Sequence, residues 1–577
     1  MSSVPTVPLR CANQTLDNPC ALQGSSVCSR CKLVSYCGPA CQRLHWSTHK
    51  VKCNSPLNKA SWMPDWDRNN RAPAWASGEA ATNFHNPFGS NKYLWGNTPA
   101  MDIARIPENE GLGYDKDMSF LFAASGDLRS VIRTIRSLPE SLGQNFKITI
   151  NDWDFDVAAR SAIMLLFAFA SLDENESEHA SYAHAAESLI HLWYSAFIPH
   201  SLFCSVQTKV GKLLHDDTTH TVQVVHDQMI KKTWSFPRDK TLCITLRADQ
   251  WPKLDGFLEI PAGLTEQSAR EVRAAVVMSP ERADYRDRWY FKDAYPSMRV
   301  AKQQFRDDGI LLPFGHPRAE FTVPNPTMFQ SPDCWPFDDQ ANPMGGWSIT
   351  DVYKTPWPTH RDEYGKLFAY LREEFETFFH RLTTLRVHLQ LLNVDANVLP
   401  KLLTSKSYDR IEVSNISDAG YMGTHRTLSL FAPLLQHKTQ NVHATMITCY
   451  LNAVMETMKM AEAYTFPEFD FLERLMPQGC DQAKMMRNGA EFYKVWDCRT
   501  LALDSDRFFN MYMEIEDFEG AARDAGVTMK KKNTVVESWP CRMKAKLGDP
   551  GAQEEFDLLL SSTSTGVEHY VEWLSGE

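Results

Sequence analysis

A chain of 577 residues with 43% hydrophobic and 23% charged side chains is ordinary globular material, with room for two or three domains. No N-terminal apolar stretch resembles a signal peptide. The longest apolar run, around residues 162–170, is too short and too closely flanked by charge to span a bilayer. A soluble intracellular protein is expected, in cytoplasm or nucleus and not secreted. The net charge of −11 is unevenly spread, with seven Lys or Arg against the single acid Asp17 in residues 1–60, and 53 basic against 70 acidic residues beyond. Direct nucleic-acid binding is not expected, because no recognition helix follows the basic segment and the acidic body repels phosphate.

The first informative element is a run of thiols and an imidazole: Cys11, Cys20, Cys28, Cys31, Cys37, Cys41, His49 and Cys53. Thiolate and imidazole bind zinc tetrahedrally, and the two-residue loop between Cys28 and Cys31 lets both sulfurs reach one ion. Eight donors complete two four-ligand sets. A closed set of four leaves no position for water or substrate, so the metal is expected to hold the fold together and not to catalyse. His45 and Trp46 are read as packing residues on a short helix after Cys41. The other half of the 14 cysteines are isolated, as suits buried thiols in a reducing compartment.

The residues between the donors, from Cys28-Ser-Arg-Cys31 through Tyr36-Cys37 and Cys41-Gln42 to His45-Trp46 and His49-Lys50, closely resemble a MYND-type zinc finger over residues 11–53. The resemblance implies two structural zinc ions bound in interleaved fashion, Cys11, Cys20, Cys37 and Cys41 on one, Cys28, Cys31, His49 and Cys53 on the other. The first pair departs from the usual short spacing, with eight residues between Cys11 and Cys20. The resemblance also implies protein partners, bound through short proline-containing peptides.

Residues 54–90, with Trp62, Trp66 and Trp75 among Asn, Pro, Ala and Ser, read as a linker with apolar anchors. From Met118 an apolar strand ends at Gly126-Asp127. Helical spacing follows in Val131, Ile132, Ile135 and Leu138, then a strand over Phe146–Ile150 closing on Asn151-Asp152, and a helix from about Asp156 to Leu172. This strand, glycine turn, helix, strand unit, assigned to residues 91–180, places an acid at the end of its second strand. In cofactor-binding folds such a glycine lets the backbone approach the ligand and the acid accepts from ribose hydroxyls. Only Gly126 of the expected glycines is present.

Residues 181–385 read as a mainly helical insertion, with long helices near 178–196 and 360–385 and a Pro-rich loop over 312–343. Phe368, Leu371, Phe375 and Phe379 form a core stripe on the last helix. Strand-like segments resume at Val387–Leu392, followed by Asp395-Ala396, at Tyr408–Val413 and at Ala444–Tyr450. Residues 386–460 then supply the second half of a split Rossmann-like domain. Residues 461–577 read as a mixed helical region in which Tyr570-Val-Glu-Trp573 anchors the tail. The fold class is α/β: a cross-braced finger, then a split sheet with a large helical insertion.

The order of the later strands resembles a class I methyltransferase. Carried over, that resemblance assigns S-adenosylmethionine to Gly126, Asp127, Asp152 and Asp395. Trp95–Asp102, Phe122–Arg129 and Ile150–Asp152 resemble an uncharacterised domain that accompanies MYND fingers in fungal proteins, and the N-terminal part of the axonemal dynein assembly factors. The latter implies a degraded cofactor site and a cytoplasmic assembly role. No Asn-His-Ser-Cys motif of SET-domain enzymes and no Gly-x-Ser-x-Gly elbow is present. A noncatalytic zinc-binding interaction scaffold is expected, with methyltransferase and assembly-factor readings as alternatives and the oligomeric state open.

Overall fold

Ten strands drawn from residues 118 to 575 form one mixed sheet. The computed structural model describes residues 9–15, 18–76, 88–90, 92–172, 178–226, 228–403, 405, 407–461, 475–476, 489–564 and 566–576. Part of the expected linker, residues 77–87, and Cys480 lie outside them. The strands are β1 (Met118–Phe122), β2 (Asn145–Asn151), β3 (His220–Val224), β4 (Met229–Phe236), β5 (Lys240–Arg247), β6 (Arg386–Leu392), β7 (Arg410–Glu412), β8 (Thr445–Tyr450), β9 (Val527–Met529) and β10 (His569–Ser575). They lie in the order β9-β10-β8-β7-β1-β2-β6-β5-β4-β3.

The six central strands, β8 through β5, are parallel. Two antiparallel strands finish each edge. Parallel sheets are covered on both faces and therefore need near-continuous apolar strands. Phe120, Leu121 and Phe122 of β1, Ile148 and Ile150 of β2 and Met446 and Ile447 of β8 are all buried.

The finger consists of two short hairpins and α1 (Pro39–Cys53). In the body, α2 (Arg129–Ser137) and α3 (Phe155–Ala170) follow the first two strands. The start of α3 is fixed by Asp154, whose side chain accepts from the backbone N–H groups of Asp156 and Val157. Its run from Val157 to Phe169 is buried all round. Then come α4 (Glu178–Tyr194), α5 (His200–His215), α6 (Pro296–Asp308) and α7 (Glu363–Thr384). Asp362 caps α7 by accepting from the Gly365 N–H at 2.9 Å, and the expected stripe of Phe368, Leu371, Phe375 and Phe379 is buried.

Two segments carry more sheet than their sequence reading gave. Residues 181–385 contribute β3, β4 and β5, and the C-terminal region contributes β9 and β10. Period-two alternation is present in Leu242, Ile244 and Leu246, separated by Cys243 and Thr245, but it is short and flanked by long helical patterns. The tail anchor is literal: β10 pairs antiparallel with β8, setting Trp573 opposite Met446.

The stretch after the finger is strapped to the body. Trp66 and Trp75 are each 1% exposed and meet edge to face with ring centroids 5.5 Å apart. Both pack on Tyr493, and Trp75 also on Tyr285. Arg71 adds a forked bond to the Asp284 carboxylate at 2.6 and 2.7 Å. Burying two indoles contributes several kcal/mol, more than a flexible linker would gain.

Trp573 has no exposed surface and its indole N–H donates to Thr448 Oγ1 at 3.0 Å. Trp573→Ala is expected to lower stability by about 3–5 kcal/mol, read as a lower urea midpoint, because it leaves a large cavity and removes a donor from the Thr448 hydroxyl. Trp153, 75% exposed, is the control: its alanine variant stays within about 0.5 kcal/mol of the parent.

Candidate metal centre

The finger's two hairpins and α1 bring its eight donors into two groups. In one stand Cys11, Cys20, Cys37 and Cys41, in the other Cys28, Cys31, His49 and Cys53, with the ligating atoms of each group within 4.8 Å of one another. Spacing on α1 explains the sharing: Cys41 lies in its first turn, and His49 and Cys53, four apart, sit together from about two turns further along.

Zinc–sulfur bonds of about 2.3 Å at tetrahedral angles set sulfurs roughly 3.8 Å apart, and a sulfur and an imidazole nitrogen roughly 3.6 Å apart. Cys20 Sγ lies 3.7 Å from Cys37 Sγ, Cys28 Sγ lies 3.9 Å from Cys53 Sγ, and Cys31 Sγ lies 3.6 Å from His49 Nε2. None of the described cysteines is in a disulfide. The donor chemistry and the spacing both fit zinc. The Leu33 N–H donates to Cys31 Sγ at 3.5 Å, which stabilises negative charge on that sulfur.

The two groups differ in enclosure. All four donors of the second are buried, whereas only Cys11 of the first is. His45 belongs to neither; its Nδ1 is 3.0 Å from the Tyr36 hydroxyl. Trp46 is 41% exposed on α1.

Residues 11–53 match the family model of the MYND finger. Residues 94–198 match a second model, Domain of unknown function (DUF4470). No curated protein and no solved structure matches the chain. The match and the two four-donor groups support a zinc-binding, protein-interaction role for the finger, which is joined to a domain without an assigned function.

Around the carboxyl ends of the parallel strands, the residues assigned to a cofactor have other partners. Gly126 has φ +59°, the left-handed turn that its lack of a side chain permits. Its N–H donates to Asp152 Oδ2 at 2.9 Å, and Asp152 Oδ1 accepts from the Asp154 N–H at 2.9 Å. Burial raises the Asp152 carboxyl to about 6, against the pull of those bonds. Asp127 is buried, accepting from the Gly96 N–H at 2.7 Å and from the Arg129 guanidinium at 2.6 Å. Asp395 is exposed and closes its own turn on Asn397. Gly126 and Asp152 are therefore brought together, and Asp127 and Asp395 are held by other groups.

Three amides to which the sequence assigns no role, Asn151, Asn393 and Gln250, knit these strand ends. Asn151 donates to the carbonyls of Ala123 and Val394 at 2.9 and 3.0 Å and accepts from the Val394 N–H at 3.2 Å. Asn393 donates to the carbonyls of Asp152 and Trp153 at 2.8 and 3.0 Å, and Gln250 Nε2 donates to Asn393 Oδ1 at 2.6 Å. The signal was an asparagine immediately at or after a strand end in both β2 and β6. Beside them Glu412, at the end of β7, is buried and accepts from the Ser414 N–H at 2.6 Å.

Two outcomes are expected. Cys31→Ser should take the metal content from two zinc per chain to one, measured by elemental analysis, and full content would refute the donor set. Burial pushes the Glu412 carboxyl from 4.5 up to about 7. A raised carboxyl gives stability that is complete below pH 4.5 and is lost as pH rises through 7. Glu412→Gln keeps the acceptor for Ser414 and should remove up to ~3 kcal/mol of that fall, seen as a flatter denaturation midpoint between pH 5 and 8.

Proposed function

We propose that this protein is an intracellular interaction scaffold. Its finger carries two structural zinc ions, one per four-donor group, and binds short proline-containing peptides. Its body is a noncatalytic, methyltransferase-like fold. Counting the parallel strands without those of the insertion, the sheet runs third, second, first, fourth, fifth, the order at the centre of doubly wound nucleotide-binding sheets. That order supports the Rossmann-like reading.

The observation that carries the noncatalytic reading is the bond between Gly126 and Asp152. A cofactor's ribose needs the acid free, and its adjoining chain needs an open glycine backbone. Here the glycine N–H is taken by the acid, each oxygen of the acid already accepts a backbone N–H, and Asn151 and Asn393 occupy the neighbouring strand-end carbonyls. The residues present do not fit S-adenosylmethionine, so no methyl-transfer step is derived. An assembly-factor role is the same scaffold with its clients specified.

Calorimetry on the full zinc-loaded chain tests both halves. S-adenosylmethionine and S-adenosylhomocysteine are expected to give no binding heat. Micromolar binding abolished by Asp152→Ala would overturn the noncatalytic reading. Proline-containing peptides are expected to bind the parent and not Cys31→Ser; equal binding to both would remove the finger as their site.

A further inference from the structure

We propose that the exposed edge of β3 is a pairing site for a second copy of this chain, joining two sheets edge to edge about a two-fold axis. Among the described residues β3 is the last strand of the sheet. Thr221, Val222, Gln223 and Val224 are all exposed, Val222 at 57% and Val224 at 72%.

The ladder fixes which backbone groups are free. The Val225 N–H donates to the Met229 carbonyl at 3.0 Å, and Val224 stands opposite Ile230. Antiparallel partners alternate between bonded and non-bonded pairs. Residues 221, 223 and 225 thus turn their N–H and C=O groups to β4, and Val222 and Val224 turn theirs outward. The same two residues carry the most exposed apolar side chains of the strand. Opposite residues share a face, so Val224 continues the row of Ile230 and Leu246, and Val222 the row of Lys232 and Ile244. Ile244 and Leu246 have no exposed surface. The face that is buried at β5 therefore runs out to solvent at β3, apolar throughout in the Val224 row and interrupted by the half-buried Lys232 in the Val222 row.

Native sheets blunt their edges with charge, proline, bulges or very short strands. The far edge does so: β9 spans Val527–Met529 and is followed at once by Lys530-Lys531-Lys532. β3, His220-Thr-Val-Gln-Val224, is five residues long without charge, proline or bulge.

The edge asks for an extended strand with apolar residues at alternate positions, outward backbone groups at those same positions and no charge. β3 meets each requirement itself. Setting Val222 against its counterpart about a two-fold axis faces outward groups to outward groups and closes the assembly at two copies. From His220 to Val225 no acidic or basic Lys or Arg side chain is present, so the copies bring no like charges together at the seam, although each carries a net charge of −11. Salt, by screening that long-range repulsion, strengthens the pairing.

Sedimentation velocity of the full zinc-loaded chain tests this between about 1 and about 100 µM, the range for a small, reversible interface. The weight-average mass is expected to climb toward that of two chains, and more so at high salt. Val222→Pro deletes an outward N–H and spares the ladder to β4; Val224→Lys places charge on the seam. Either variant, melting like the parent, should sediment as a single chain at every concentration. A parent that stays a single chain throughout, or dimers undiminished in both variants, would overturn the proposal.

Discussion

The hydrogen bonding of β2 to β6, strands separated by more than two hundred residues, is the constraint on which the body depends. Leu389 must find Ile148, and Leu392 must find Asn151, for the parallel centre to exist at all. Everything between them has to leave the sheet and return to it. That is why the intervening residues are not a free-standing insertion. They return through β5, which takes the other side of β6 and extends the sheet. The loop-closure cost of such a pairing is met by the buried apolar residues of the two strands, Phe146, Ile148 and Ile150 with Val387, Leu389 and Leu391.

Most of the centre could be read in advance because it is written in local patterns. The apolar runs of β1, β2, β6 and β8 and the periodicity of α2, α3 and α7 each need only a window of a few residues. The finger's donors were equally plain, since ligand chemistry is confined to a few residue types at short spacings. What escaped was set by tertiary context. The valines and lysines of β3 and β4 resemble a solvated loop until β5 gives them a register. Asn151 and Asn393 have no visible role until the strand ends on which they bond are brought together. Asp127 lay in the expected turn, yet Gly96 and Arg129 hold it for packing.

Finger and body are coupled more closely than a linker suggests. Cys11, Ala12, Leu33 and Val34 belong to the same apolar cluster as the core of the body. A side chain on Gly315 would meet the Ala12 methyl at 3.1 Å and Val34 at 3.3 Å. Lys52 pairs with Asp307, and Arg299 donates to the Lys59 carbonyl at 3.1 Å. A module of this size cannot sustain a core alone, and binding energy of about 10–16 kcal/mol per structural zinc is folding energy. Part of that energy therefore reaches the body through the shared cluster, so metal loss softens residues around 315 as well as the finger.

The placement of β10 has a consequence for how the chain is made. β8 is a sheet edge until β10 covers it, and β10 lies some 450 residues after β1. At about 5–20 residues per second, that interval on the ribosome lasts roughly 20–90 s. Throughout it the finger can close around its metal while the sheet, whose central strands pair as they emerge, waits for its last edge. The nascent chain is thus a folded head on an unfinished sheet, and its yield in the cell depends on what shields that edge until synthesis reaches Trp573.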